Sequence, residues 1–273
     1  MVAGLALATG LAACGGATVS GPAPTSPALR AWASFPVRSS PRPLVLPQGS
    51  VVDPAGGFRT GADKLAFQAG AFVAPAHLPA GPSERGGFPL ISAAAGFGAL
   101  RSTGAGRSAT ELTVSGVTLG SATFLTGRGR RQLPAWLFSF VDVENPAAVL
   151  AVARSGQFWP RSVSHERYTV VAAHVDRGDR KLAVTFPGAP AGTGPCTADY
   201  AGSATESAEA VSVAVHTTRS GTSNDPSVVC SLVGYPRRVT VALKVPLGAR
   251  VVVDARTEAP LVVTGSRGGS TGA

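Results

Sequence analysis

The chain has 273 residues, of which 44% are hydrophobic and only 14% are charged. This length and hydrophobic content suffice for one or two compact units, and the low charged fraction excludes a charge-rich disordered chain. Lys and Arg exceed Asp and Glu by nine charges, but the arginines are spread from Arg30 to Arg267 and aromatic residues make up only 6%. A dispersed positive charge with few aromatic residues argues against nucleic acid as a partner.

The first segment, residues 2–13, is an uncharged apolar run that ends at a cysteine. It is too short to cross a bilayer as a helix but has the length of a signal-peptide core. The sequence Leu11-Ala12-Ala13-Cys14-Gly15 resembles the lipobox of bacterial lipoproteins. The resemblance implies a signal peptide over residues 1–13 and a mature protein that begins at a diacylated Cys14. The alternative is an apolar start that contains a cysteine by chance, and residues 1–4 lack the usual Lys or Arg.

A disordered, lipidated tether is predicted for residues 14–43. Prolines occur at positions 22, 24, 27, 36, 41 and 43, among many Ala, Ser and Gly residues. This composition disfavours helix and sheet, because proline lacks an amide hydrogen and glycine loses much conformational freedom on folding. For the same reason we expect a flexible tail over residues 265–273.

Between these ends the sequence predicts a mainly β fold with sandwich-like antiparallel sheets. Short Val-rich runs with turn residues between them predict the strands. They cover residues 111–118, 121–126, 135–143, 148–153, 169–176, 181–186, 211–217, 239–245, 250–254 and 260–264. Residues 127–130 and 176–179 are predicted hairpin turns.

One short helix is predicted near residues 89–101, where apolar side chains recur at helical spacing. We divide the folded part into two lobes. Residues 44–160 form a β-rich lobe with the helix, and residues 165–264 form a β-sandwich-like lobe. A single core shared by both halves is the alternative.

Trp136, Phe138 and Phe140 alternate along one predicted strand and therefore share a face. They could form the floor of a binding groove, but a sequence with so few aromatic residues favours using them in the core. Arg128, Arg130 and Arg131 lie at a predicted hairpin tip. We interpret them as a solvated turn, with contact to anionic lipid head groups as the alternative.

No motif of a familiar catalytic type occurs, whether GxSxG, SxxK, HExxH or GxxxxGK[ST]. Residues 104–109 read GxGxxA but precede a predicted strand, so we interpret them as a loop rather than a dinucleotide site. Three neighbouring polar pairs deserve consideration as acid and base: His165 with Glu166, His174 with Asp176, and Asp142 with Glu144. The first pair points to opposite faces of a strand, and the other two fit exposed strand faces better than an active site.

Two cysteines remain after lipidation, Cys196 and Cys230. In an exported protein they are a candidate disulfide, which would close a loop of about 35 residues and stabilise the fold by about 3 to 4 kcal/mol. Two separate buried thiols are the alternative. The four histidines are scattered and no CxxC or HxxxH occurs, so no metal and no cofactor are expected.

Several segments also resemble those of secreted lipoproteins of actinobacteria. They are residues 42–46, 52–58, 63–67, 133–136, 230–237 and 246–254. The resemblance covers most of the mature chain, brings no known activity, and implies export, anchoring and the Cys196–Cys230 bridge. We therefore expect a non-catalytic binding or structural module, lipid-anchored on the extracytoplasmic face of the cell membrane, whose partner is an envelope component. The alternative is a cell-envelope hydrolase with a dispersed active site.

Overall fold

The computed structural model describes residues 26–47, 49, 51–164, 172–176, 178–221 and 227–265. In this part of the chain the predicted mainly β fold is confirmed. The helices are α1 Pro27–Ala31, α2 Gly61–Gln68 and α3 Ala93–Ser102, with a 3₁₀ turn at Arg154–Gly156. The strands are β1 Val52–Asp53, β2 Gly56–Phe58, β3 Phe72–Val73, β4 Glu84–Arg85, β5 Phe88–Pro89, β6 Leu112–Thr126, β7 Gly129–Phe140, β8 Val143–Asn145, β9 Ala147–Leu150, β10 Ala172–Val175, β11 Lys181–Gly188, β12 Ala198–Glu206, β13 Ala210–Ser220, β14 Tyr235–Ala242, β15 Val251–Asp254 and β16 Val262–Gly265.

The first lobe is built on a five-stranded sheet in the order β1-β9-β7-β6-β3. The predicted strands over residues 111–118 and 121–126 are one continuous strand, β6, which pairs with β7 as a long hairpin. The predicted helix is confirmed as α3. Ser92 is its N-cap, and the Ser92 hydroxyl accepts a hydrogen bond from the Ala95 amide. α2 was not predicted; a capping box between Thr60 and Asp63 starts it.

The three alternating aromatic side chains of β7 lie in the core of this lobe. Trp136, Phe138 and Phe140 are each 4% exposed or less, so the groove alternative is wrong. Trp136 donates its indole hydrogen to the Ile91 carbonyl at 2.9 Å. A Cβ at Gly96 would lie 3.1 Å from Trp136 Cδ1, so the glycine permits α3 to pack closely on the sheet.

The second lobe is a sandwich of two sheets, ordered β14-β11-β10-β16 and β12-β13-β15. Apolar side chains from both inner faces, such as Val184 and Val239 from one and Val211 from the other, form its core. Most pairs are antiparallel as predicted, but β10 with β16 and β13 with β15 are parallel. β10 and β11 form the hairpin predicted around residues 176–179.

The predicted tether is wrong for residues 26–43. Ala28, Leu29, Trp32 and Phe35 are at most 2% exposed and pack against Ala210, Val251 and Val253 of the second lobe. Ala28 and Leu29 lie in α1, and Trp32 and Phe35 follow it in the turn after the helix. The burial of these four apolar side chains outweighs the effect of the surrounding prolines. The remainder of the tether, residues 14–25, lies outside the described residues.

The two lobes are joined by the tip of the β6–β7 hairpin. The Gly127 amide donates to the Val45 carbonyl at 2.7 Å, and the Gly127 carbonyl accepts from Val263 of the second lobe at 3.2 Å. Two arginines connect the junction to the loop before β15 by hydrogen bonds. Arg42 Nε donates to the Ala249 carbonyl, and Arg128 Nη2 donates to the Gly248 and Arg250 carbonyls at 2.6 and 2.7 Å.

Candidate functional site

One cavity lies where the chain passes from the N-terminal segment into β1. The Leu44 amide donates to the Gly156 carbonyl at 2.9 Å and the Phe158 amide donates to the Leu44 carbonyl at 2.8 Å, so these two segments run side by side. The Gly49 amide donates to the Leu46 carbonyl and closes a turn. Two stretches far apart in sequence, residues 44–51 and 154–161, therefore supply the walls of one cleft.

The cleft has a volume of about 810 Å³, within the range of small-molecule sites. Most of its lining is apolar or aromatic. The lining residues are Leu44, Leu46, Gly49, Val51, Arg154, Gln157, Phe158, Trp159 and Arg161. The described lining contains no carboxylate, imidazole, thiol or hydroxyl side chain.

Hydrogen bonds hold two of the cleft's polar side chains in place. Gln157 Nε2 donates to the Val152 carbonyl at 2.8 Å, and Trp159 Nε1 donates to the Val163 carbonyl at 2.7 Å. The Trp159 ring also contacts buried Trp32, with ring centroids 6.0 Å apart. The aromatic wall of the cleft is therefore packed against the buried cluster that contains Trp32.

Arg154 and Arg161 are exposed at the cleft, and neither side chain forms a hydrogen bond or ion pair with any residue that the structure describes. A guanidinium presents a planar set of donors that matches a carboxylate or a phosphate group. The cleft thus combines an apolar, aromatic body with two available cations.

Two half-buried arginines at the junction of the lobes, Arg42 and Arg128, differ from this arrangement. Burial, together with the nearby Arg128 and Arg131, lowers the pKa of Arg42 to about 9. Burial also lowers the pKa of Arg128, against the opposing effect of Asp179. The Arg128 side chain donates to backbone carbonyls, so its interpretation as part of a solvated turn is wrong. Arg130 and Arg131, the other two arginines of the hairpin tip, are exposed.

The predicted disulfide is present. The sulfur atoms of Cys196 and Cys230 are bonded, with the two Cα atoms 5.3 Å apart. This distance is typical of an ordinary disulfide. Cys14 lies outside the described residues, and so do His165 and Glu166.

In the other two candidate acid–base pairs, the described side chains make structural contacts instead of contacts with each other. His174 Nδ1 lies 3.4 Å from Thr264 Oγ1, while the Asp176 carboxylate accepts the Arg180 and Lys181 amides and so caps its own turn. Asp142 forms an exposed ion pair with Arg59 at 2.9 Å. Residues 104–109 form a loop between α3 and β6, as predicted.

Two smaller cavities, of about 370 and 310 Å³, each contain one cation, Lys64 in the first and Arg107 in the second, and no acidic residue. Within the described ranges, no cluster of three or more His, Cys, Asp or Glu side chains could hold a metal ion. No helix in the same ranges combines the length and the hydropathy needed to span a membrane. Comparison with protein-family models, with curated proteins and with solved structures found no match.

Proposed function

We propose that this chain is an exported, lipid-anchored protein of the cell envelope that binds a ligand in the 44–51/154–161 cleft. The lipobox-like residues 11–15 support the anchor. The Cys196–Cys230 disulfide supports export, because structural disulfides persist mainly in oxidising compartments outside the cytoplasm.

The observation that carries the binding function is the pairing of available guanidiniums with an aromatic wall. Arg154 and Arg161 favour a ligand with a carboxylate, phosphate or sulfate group, and Phe158 and Trp159 favour an apolar or aromatic body. Binding is favoured over hydrolysis because a hydrolase needs a positioned nucleophile or acid–base pair, and the described lining supplies neither.

A probe with both features tests the cleft. We expect 8-anilinonaphthalene-1-sulfonate to bind, and the double variant Arg154→Ser/Arg161→Ser to bind it about tenfold more weakly, because two exposed charge contacts of under about 1 kcal/mol each are lost. Fluorescence titration measures both dissociation constants. The control, Arg101→Ser/Arg256→Ser, removes the same net charge from exposed positions outside the cleft. Equal weakening in the two double variants would contradict a site in the cleft.

The anchor is tested separately. Cys14→Ala should move the protein from the membrane fraction to the soluble fraction and remove the acyl mass, since two or three acyl chains hold a protein durably on a bilayer. Intact mass and fractionation of cells measure this, with Thr18→Ala as a control that should remain at the membrane. If the wild type and Cys14→Ala distribute alike, the protein is not anchored through Cys14.

A further inference from the structure

The loop that leads into β14 exposes an unusual number of apolar side chains. We name residues 227–235 the Cys230 loop. Leu232 and Val229 are 103% and 89% exposed, and Val233 and Tyr235 follow at 63% and 45%. Folded proteins expose single apolar residues freely, but several in one short projecting segment mark an interaction site.

The Cys230 loop is fixed to the sandwich at its middle and at its end. The disulfide ties Cys230 to Cys196, and the Tyr235 backbone pairs with Gly188 at the start of β14. A Cβ at Gly234 would lie 2.8 Å from Pro187 Cβ, so the base of the loop is tightly packed. The base of the loop is therefore fixed, while Val229 and Leu232 are exposed on it.

The electrostatics of the loop and of the strands after it are positive. From residue 227 to residue 253 the sequence contains no Asp or Glu, and Arg237 and Arg238 follow the loop after Pro236. Arg238 is exposed, while Arg237 stacks on the Tyr200 ring at 5.0 Å. An apolar tip with an exposed tyrosine and cations behind it complements a bilayer, whose hydrocarbon lies beneath anionic head groups.

We infer that the Cys230 loop is a membrane-contact site, which inserts Val229, Leu232 and Val233 into the surface of a bilayer that contains anionic lipids. A bilayer with anionic lipids is favoured over a protein partner because the apolar tip is followed by cations and the sequence has no carboxylate from residue 227 to residue 253. Peripheral membrane contact is made by small apolar tips together with nearby cations.

A tryptophan placed at the tip reports its depth. The full-length variant Leu232→Trp is mixed with vesicles of brominated phosphatidylcholine and phosphatidylglycerol, and the emission of the wild type is subtracted. We expect the added emission to shift to the blue and to lose most of its intensity. The control is Leu65→Trp on α2, which is also well exposed, at 62%, but lies in the first lobe. Its emission should remain unchanged.

Three results would overturn the inference. If Leu232→Trp is unaffected by vesicles, the loop does not enter the bilayer. If Leu65→Trp is quenched equally, the protein adsorbs without using the loop. If the Leu232→Trp emission shifts with protein concentration in the absence of vesicles, the loop joins two copies of the chain instead.

Discussion

Replacing Glu206 with glutamine should lower the free energy of unfolding by about 3–5 kcal/mol at neutral pH, because it leaves a buried guanidinium without its counter-charge. Arg250 Nη1 donates to Glu206 Oε2 at 2.8 Å, and the two side chains are only 7% and 10% exposed. The same guanidinium group also donates to the carbonyls of Val245, Pro246 and Ser207. The pair therefore fixes the loop to which Arg42 and Arg128 bind.

The stabilisation by Glu206 should also depend on pH. Burial alone would raise the pKa of Glu206, but hydrogen bonds from the Lys244 amide, Arg250 and the Val245 amide outweigh it and hold the pKa below its ordinary value. A carboxylate whose pKa is lower in the folded state stabilises the fold above its unfolded pKa, and this contribution is lost as the pH falls through the folded pKa. Glu206→Gln should remove that part of the acid dependence.

Urea unfolding of the wild type and the variant between pH 7 and pH 3 measures both effects. The control is Asp199→Asn, which breaks the ion pair with Arg219, where both side chains are more than 40% exposed. We expect that control to lose less than about 1 kcal/mol. A similar small loss in Glu206→Gln would show that burial of the Arg250 pair contributes little.

The second large effect is expected from Trp32→Ala, which should cost about 3–5 kcal/mol because it empties a fully buried position. Trp32 is 0% exposed, its ring contacts those of Phe35 and Phe158, and its indole donates to the Glu258 carbonyl at 2.9 Å. The position lies within the predicted tether, where an alanine substitution would cost almost nothing.

Thermal and urea unfolding of Trp32→Ala, compared with Arg38→Ala, decide between the two descriptions. Arg38 is exposed on the same segment, so its removal should change stability by no more than about 0.5 kcal/mol. If the two variants were equally stable, residues 26–43 would behave as a tether after all.

Regular alternation of apolar and polar residues made strands such as β11 and β13 predictable from the sequence. β12 was missed because it is made of small and polar residues, and the reason is visible at Gly202. A Cβ there would lie 2.7 Å from Val241 Cγ2 of the facing sheet, so close packing requires glycine. Glycine is rare inside strands, and its presence in the sequence does not predict one.

The cleft could not be predicted for a different reason. Its walls come from residues 44–51 and 154–161, which share no local pattern and are brought together by backbone hydrogen bonds of Leu44 with Gly156 and Phe158. The role of Arg128 was equally inaccessible, since its partners Gly248 and Arg250 follow it by more than 100 residues. In contrast, two unassigned cysteines were enough to predict the disulfide.

The burial of the N-terminal segment would shorten the reach of a lipid anchor. If Cys14 carries the lipid that we propose, the 12 residues from there to Ser26, where the described structure begins, span at most about 40 Å. Trp32, six residues further on, contacts Phe158 and Trp159 of the cleft wall. The cleft would then lie within a short radius of the anchoring point, so it would meet its ligand close to the membrane rather than deep in the envelope.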